Sequence, residues 1–72
     1  MDVLTGKYRH SKTGRMYNVI GIAKHSETHE DLVVYEALYS NAMSQLWVRP
    51  LPMFYEQIDI NGVSVPRFVR VE

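Results

Sequence analysis

Apolar and polar positions alternate along this chain in short runs, and turn residues punctuate them throughout. Tyr8-Arg9-His10 is followed by Ser11-Lys12-Thr13-Gly14, where Gly14 suits a positive φ, and then by the run Met16 to Lys24. This order predicts a β-hairpin. The second strand, Met16–Ala23, carries Tyr17, Val19, Ile20 and Ile22, which fit a pleated, half-buried surface. Gly21 inside that run predicts a bulge or a close backbone approach. His25–Asp31 is polar and reads as a loop. Leu32–Tyr39 reads as a strand, because the adjacent Val33 and Val34 are stiff at χ1 and disfavour a helix. Val33, Tyr35, Ala37 and Tyr39 fall on one face. Leu32, Val34, Glu36 and Leu38 fall on the other, where only Glu36 marks an outward side.

Ser40–Gln45 is a second polar loop, and Leu46–Arg49 a short strand stopped by Pro50. Pro50 and Pro52 flank Leu51 and cannot sit in a central ladder, so Leu51–Tyr55 is expected to make one 3₁₀ turn. Gln57–Ile60 predicts a strand with Ile58 and Ile60 on one face. Asn61-Gly62 is the strongest local signal, since both central residues of a type I′ turn need positive φ. Val63–Val71 returns as the last strand, with Pro66 marking a bulge or an edge. No internal repeat, linker or low-complexity segment is read. The expectation is an all-β chain of five or six short antiparallel strands, curled into a barrel that leaves few open edges. Val19, Val33, Tyr35, Leu38, Val48, Leu51, Phe54 and Ile58 are expected to fill most of its interior, with Tyr8 and Tyr17 also in the core.

At 72 residues the chain makes one domain, residues 1–72. A domain this small buries only about 60% of the surface its unfolded chain exposes. With no cysteine, disulfides are excluded as support, along with cysteine zinc sites, iron–sulfur clusters and thiol catalysis. Large rings must then supply buried area, and the chain has five Tyr, two Phe and one Trp. Met1 to Gly6 lacks the pattern of a secretory leader and no run is long and apolar enough to span a bilayer, so a cytoplasmic location is expected.

Gly6-Lys7-Tyr8-Arg9-His10, Gly21-Ile22-Ala23-Lys24-His25-Ser26-Glu27-Thr28, Leu32-Val33-Val34-Tyr35-Glu36-Ala37-Leu38-Tyr39 and Leu46-Trp47-Val48-Arg49-Pro50-Leu51-Pro52-Met53-Phe54 together resemble one family. It is the bacterial domain of unknown function numbered sixteen fifty-three. The resemblance covers nearly the whole chain, ending near Val65-Pro66-Arg67-Phe68. It departs at Pro52, where members often carry a polar residue, and in the variable Ser40–Gln45 loop. It implies a small SH3-like β-barrel or roll, and it carries over no activity, catalytic residue or binding residue.

Candidate chemistry is sparse. His25-Ser26-Glu27-Thr28-His29-Glu30 holds half of a zinc-deaminase pattern, but the other half needs cysteines; the helical two-histidine zinc motif fails on the position of Glu27. No nucleophile elbow or glycine-rich phosphate loop occurs. The expectation is a non-catalytic domain without metal or cofactor.

Charge changes the picture more. The formal net charge is zero, yet Lys7, Arg9, Lys12, Arg15 and Lys24 precede an acidic stretch of Glu27, Glu30, Asp31 and Glu36. This segregation reads either as two solvated faces attracting each other or as a basic face for an anionic partner. Trp47 and Arg49 share a strand face, and Leu46 and Val48 are expected on the opposite, core-facing side. Trp47 then either caps the core under Arg49 or joins a binding face, where Trp and Arg are enriched. The candidate binding surface is Arg9, Trp47 and Arg49, with Lys7 and Lys24 as a basic rim. The favoured partner is a protein or peptide. The alternative is RNA or DNA on the basic first hairpin, which the zero net charge disfavours. Nothing in the sequence points to a membrane partner or to a homo-oligomer.

Overall fold

The computed structural model describes residues 5–40 and 42–71. The reading of Met1–Gly6 therefore falls largely outside the described residues, as does Asn41 of the Ser40–Gln45 loop. The elements run β1 (Gly6–His10), β2 (Met16–Lys24), β3 (Asp31–Ala37), β4 (Leu46–Pro50), α1 (Leu51–Phe54), β5 (Gln57–Ile60), β6 (Val63–Pro66) and β7 (Phe68–Arg70). Among the described residues the fold is all-β apart from this one helical turn. Five strands form an antiparallel sheet in the order β4-β3-β2-β1-β7, and β5 and β6 form a separate hairpin.

Local chemistry accounts for most of these boundaries. Gly14 takes φ 76°, and β1 pairs with β2 behind that turn. The β2–β3 register shifts between Val19 and Gly21, which is the bulge expected at the glycine. Asn61 at φ 52° and Gly62 at φ 83° form the tight turn of the β5–β6 hairpin. Leu51–Phe54 forms an α-helical turn where a 3₁₀ turn was expected; the Tyr55 N–H reaches the Leu51 carbonyl at 3.4 Å. Pro52 is harmless there, because the first turn of a helix has no internal acceptor for its missing N–H.

The expected single strand Val63–Val71 is two strands, which brings the total among the described residues to seven. At Pro66-Arg67 the chain leaves β5 and joins β1, so that Phe68 lies opposite His10. The corner is held by the Arg67 N–H on the Glu56 carbonyl and the Ser11 N–H on the Arg67 carbonyl, both at 2.9 Å.

Tyr8, Val19, Val33, Tyr35, Ala37, Leu51, Phe54 and Phe68 are buried. The centre is a stack of Phe54 on Phe68, with centroids 4.5 Å apart and planes within 7°. Tyr8 sets its ring edgewise to Phe54 at 5.4 Å, and Tyr35 lies 5.6 Å from Phe68. Tyr17 is half-buried, edge-on to Tyr35 at 5.3 Å, with its hydroxyl 3.1 Å from that of Tyr39. Burial first, and then that hydrogen bond, push the Tyr17 hydroxyl up to about 12.

Three expected core residues are not core. Leu38 is 45% exposed, because it shares the outer face of Leu32, Val34 and Glu36 and lies beyond the end of β3. Val48 is 56% exposed, because its neighbours Trp47 and Arg49 turn inward. Ile58 is half-buried, because its hairpin stands apart from the five-stranded sheet.

The turns at the two ends of β2 share one hydrogen-bond pattern. In one, His10 Nδ1 accepts the N–H groups of Lys12 and Thr13 at 3.2 and 3.4 Å. In the other, His25 Nδ1 accepts those of Glu27 and Thr28 at 3.1 and 3.3 Å. Thr13 Oγ1 accepts the Arg15 N–H at 3.2 Å, and Thr28 Oγ1 accepts the Glu30 N–H at 3.3 Å. The carbonyls of His10 and His25 take the N–H of Gly14 and His29 at 2.8 and 2.9 Å. His-Ser-x-Thr is common to both, and the charges are inverted: Lys12 and Arg15 in one, Glu27 and Glu30 in the other.

These contacts set two expectations for thermal or denaturant unfolding. Phe68→Ala should lose about 3–5 kcal/mol, whereas Val48→Ala should stay within about 0.5 kcal/mol of the parent; equal losses would contradict the packing. His29 occupies at φ 62° the position that glycine fills in the twin turn. The left-handed region costs a side chain about 1–2 kcal/mol, partly offset by glycine's greater freedom in the unfolded chain. His29→Gly should therefore be stabilising, and a loss of stability would contradict the assignment.

Candidate functional site

Alternation along β4 and its register with β3 fix which side chains meet. Tyr35 lies opposite Trp47 and Val33 opposite Arg49. Tyr35 and Val33 are buried, so Trp47 and Arg49 point inward as well. Leu46, 58% exposed, and Val48 point outward, which reverses the expectation that they face the core. The inward choice buries the larger apolar area, a tryptophan ring and an arginine stem. Trp47 packs against the aromatic cluster, and its Nε1–H donates to the Ser44 carbonyl at 3.0 Å.

Arg49 crosses the interior. Its guanidinium carbon lies 5.7 Å from the centroid of the Phe68 ring, although β4 and β7 are opposite edges of the sheet. The sheet is therefore curled enough to bring its edges face to face. His10, on the same inward face of β1 as Tyr8, sets its ring edgewise to Phe68 with centroids 5.0 Å apart. Arg67, next to Phe68, donates from Nη2 to Glu56 Oε1 at 2.6 Å. The Nε atoms of Arg49 and Arg67 are buried and have no acceptor among the described residues.

Burial, and then the charges of Arg67, Arg49 and Lys12, hold the His10 ring below the usual imidazole range. The charges of Arg67, Arg49 and Lys12 thus bear on His10, Arg49 and His10 both rest on Phe68, and Glu56 is in an ion pair with Arg67.

The other predicted surface residues lie elsewhere. Lys7, opposite Asn18, and Arg9, opposite Met16 and Val69, take the outer face of β1. Lys24 ends β2 and pairs with Asp31 at 2.7 Å; hydrogen bonding and the charge of that lysine lower the Asp31 carboxyl. Of the five, Trp47 and Arg49 share the inward face of β4, Lys7 and Arg9 share the outer face of β1, and Lys24 stands apart from both pairs. The structure adds His10, Lys12 and Arg67, whose association depends on the β1–β7 pairing and on the curl of the sheet. The one local sign was Pro66, which ends one strand and leaves Arg67 and Phe68 to begin another pairing. His25 and His29 sit in the acidic twin turn, and no group of three His, Asp or Glu gathers among the described residues.

The model of the family described as "Protein of unknown function (DUF1653)" matches residues 6–70. The chain belongs to the DUF1653 family. A crystal structure of a DUF1653 protein from Bordetella bronchiseptica is similar at 38% identity and a TM-score of 0.90, covering 96% of this chain and 87% of that one. No curated protein matches. Among the described residues of this DUF1653 domain, no helix is long and apolar enough to cross a membrane.

The His10 turn makes the rim sensitive to acid. Its Nδ1 can accept two N–H groups only while unprotonated. Folding lowers the affinity of His10 for its proton, so its contribution is full above the usual imidazole value and declines as pH falls through the lower folded value. The melting temperature should drop between about pH 7 and about pH 5. The drop should be smaller in His10→Asn, whose amide oxygen keeps an acceptor without titrating. Parallel profiles for the two proteins would remove His10 as the cause.

Proposed function

We propose that this domain is a non-catalytic interaction module that holds a protein or peptide partner at the rim formed by Arg49, His10, Lys12 and Arg67. The observation that carries the reading is the placement of Arg49. Its stem and guanidinium are drawn across the core over Phe68, and among the described residues no carboxylate pairs with it. Keeping a half-buried guanidinium without an acidic partner costs stability, and a partner that supplies the missing acceptor recovers that cost on binding. No pocket opens among the described residues, which suits contact with a macromolecular surface better than capture of a small molecule. The lack of cysteine agrees with action in the reducing cytoplasm.

Nucleic acid is the second reading, and the separation of the basic residues weighs against it. Lys7 and Arg9 lie on the outer face while Arg49 is at the inner rim, so they do not form one continuous track for a phosphate backbone.

The test is the affinity of a partner recovered from lysate by the full chain. Arg49→Met keeps the apolar stem and removes the charge; it should cost at least about 2 kcal/mol of binding, on the order of 30-fold. Arg9→Ala should leave affinity unchanged. The reverse pattern, in variants that remain folded, would move the site to the outer face and end this reading.

A further inference from the structure

We infer that the rim is a carboxylate-recognition site and that its ligand is an acidic segment of a protein partner; this rests on the interaction-module reading above. The hydrogen-bonding inventory of the side chains carries it. His10 Nδ1 accepts from the backbone of Lys12 and Thr13. It is therefore the bare nitrogen, and the proton of the neutral ring is on Nε2, which makes that atom a donor. Arg49 offers only donors, and so does Lys12. The one carboxylate of the cluster, on Glu56, is already engaged by Arg67 at 2.6 Å. A rim that presents donors and positive charge selects a group that only accepts and is negative, which is an oxyanion.

Two features favour a carboxylate over a phosphate chain. The cation set is small, because Arg67 is already paired with Glu56. Arg15, which could have extended it, is laid over the Tyr39 ring at 4.7 Å, and Lys24 is paired with Asp31. The formal net charge of zero gives no long-range pull on a polyanion. The Nε of Arg49 is buried with no acceptor among the described residues, and the paired N–H groups of a guanidinium match a planar carboxylate.

The experiment is an NMR titration of the full chain with a tetraglutamate peptide, reading the Arg49 guanidinium and His10 ring resonances. A ten-nucleotide thymidine strand serves as the phosphate arm. Saturable shifts confined to Arg49, His10 and Lys12, weakened about tenfold or more (about 1.4 kcal/mol) in Arg49→Met and unaffected in Arg9→Ala, are expected. Tighter binding of the thymidine strand, falling steeply with salt, would overturn the proposal in favour of nucleic acid. Unmoved resonances at millimolar tetraglutamate would also overturn it. The interaction reading would survive that result if Arg49→Met still weakened the lysate partner, and would fall with it if that affinity were unchanged.

Discussion

The stack of Phe54 on Phe68 is what turns a sheet into a domain. The edges β4 and β7 share no ladder of hydrogen bonds with each other. The phenylalanines join them: Phe54 is tied to β4 through the single turn of α1, and Phe68 is the first residue of β7. Tyr8 and Tyr35 pack on Phe54, and Tyr17, Tyr35 and His10 pack on Phe68. A chain of 72 residues without cysteine has little else with which to close. The candidate site depends on the same contact, because Phe68 is the surface on which Arg49 and His10 both rest.

What the sequence makes legible is the chemistry that a few adjacent residues decide. Asn61-Gly62 dictates its turn, since few other pairs take two positive φ values cheaply. Gly14 and Gly21 mark a turn and a bulge for similar local reasons, and Pro66 marks a break because it cannot donate to a ladder. Phe68 is not legible in this way. Its burial depends on β7 leaving the hairpin and pairing with β1, some sixty residues back along the chain, and hydrophobic spacing within Val63–Val71 carries no trace of that partner.

The facing of β4 shows a different limit. In Leu46-Trp47-Val48-Arg49 both alternating pairs contain apolar surface, so period two alone does not say which side is inward. Ranking Leu and Val above Trp and Arg picks the wrong one. The decision is made by β3, where the buried Val33 and Tyr35 stand opposite Arg49 and Trp47. The shared turn pattern escaped for a further reason. Its shared residues, His, Ser and Thr, are set apart by positions at which the charges are opposite, and the likeness lies in what the His and Thr side chains accept.

That inversion bears on the charge segregation. Were the basic and acidic stretches two faces attracting each other, each would mute the other. They do meet at one point, where Lys24 at the end of β2 pairs with Asp31 at 2.7 Å, while the twin turns of opposite charge lie at the two ends of the nine-residue β2. Physiological salt screens exposed charges beyond about 8 Å. Arg49 itself stands opposite Val33, two residues from Asp31, and Lys24 engages that carboxylate, so the nearest acid is already paired and the Arg49 side chain reaches away from it to Phe68. A formal net charge of zero gives no broad attraction for a nucleic-acid backbone, whereas the proposed recognition of a carboxylate asks only for short-range hydrogen bonding at Arg49, which that sum does not touch.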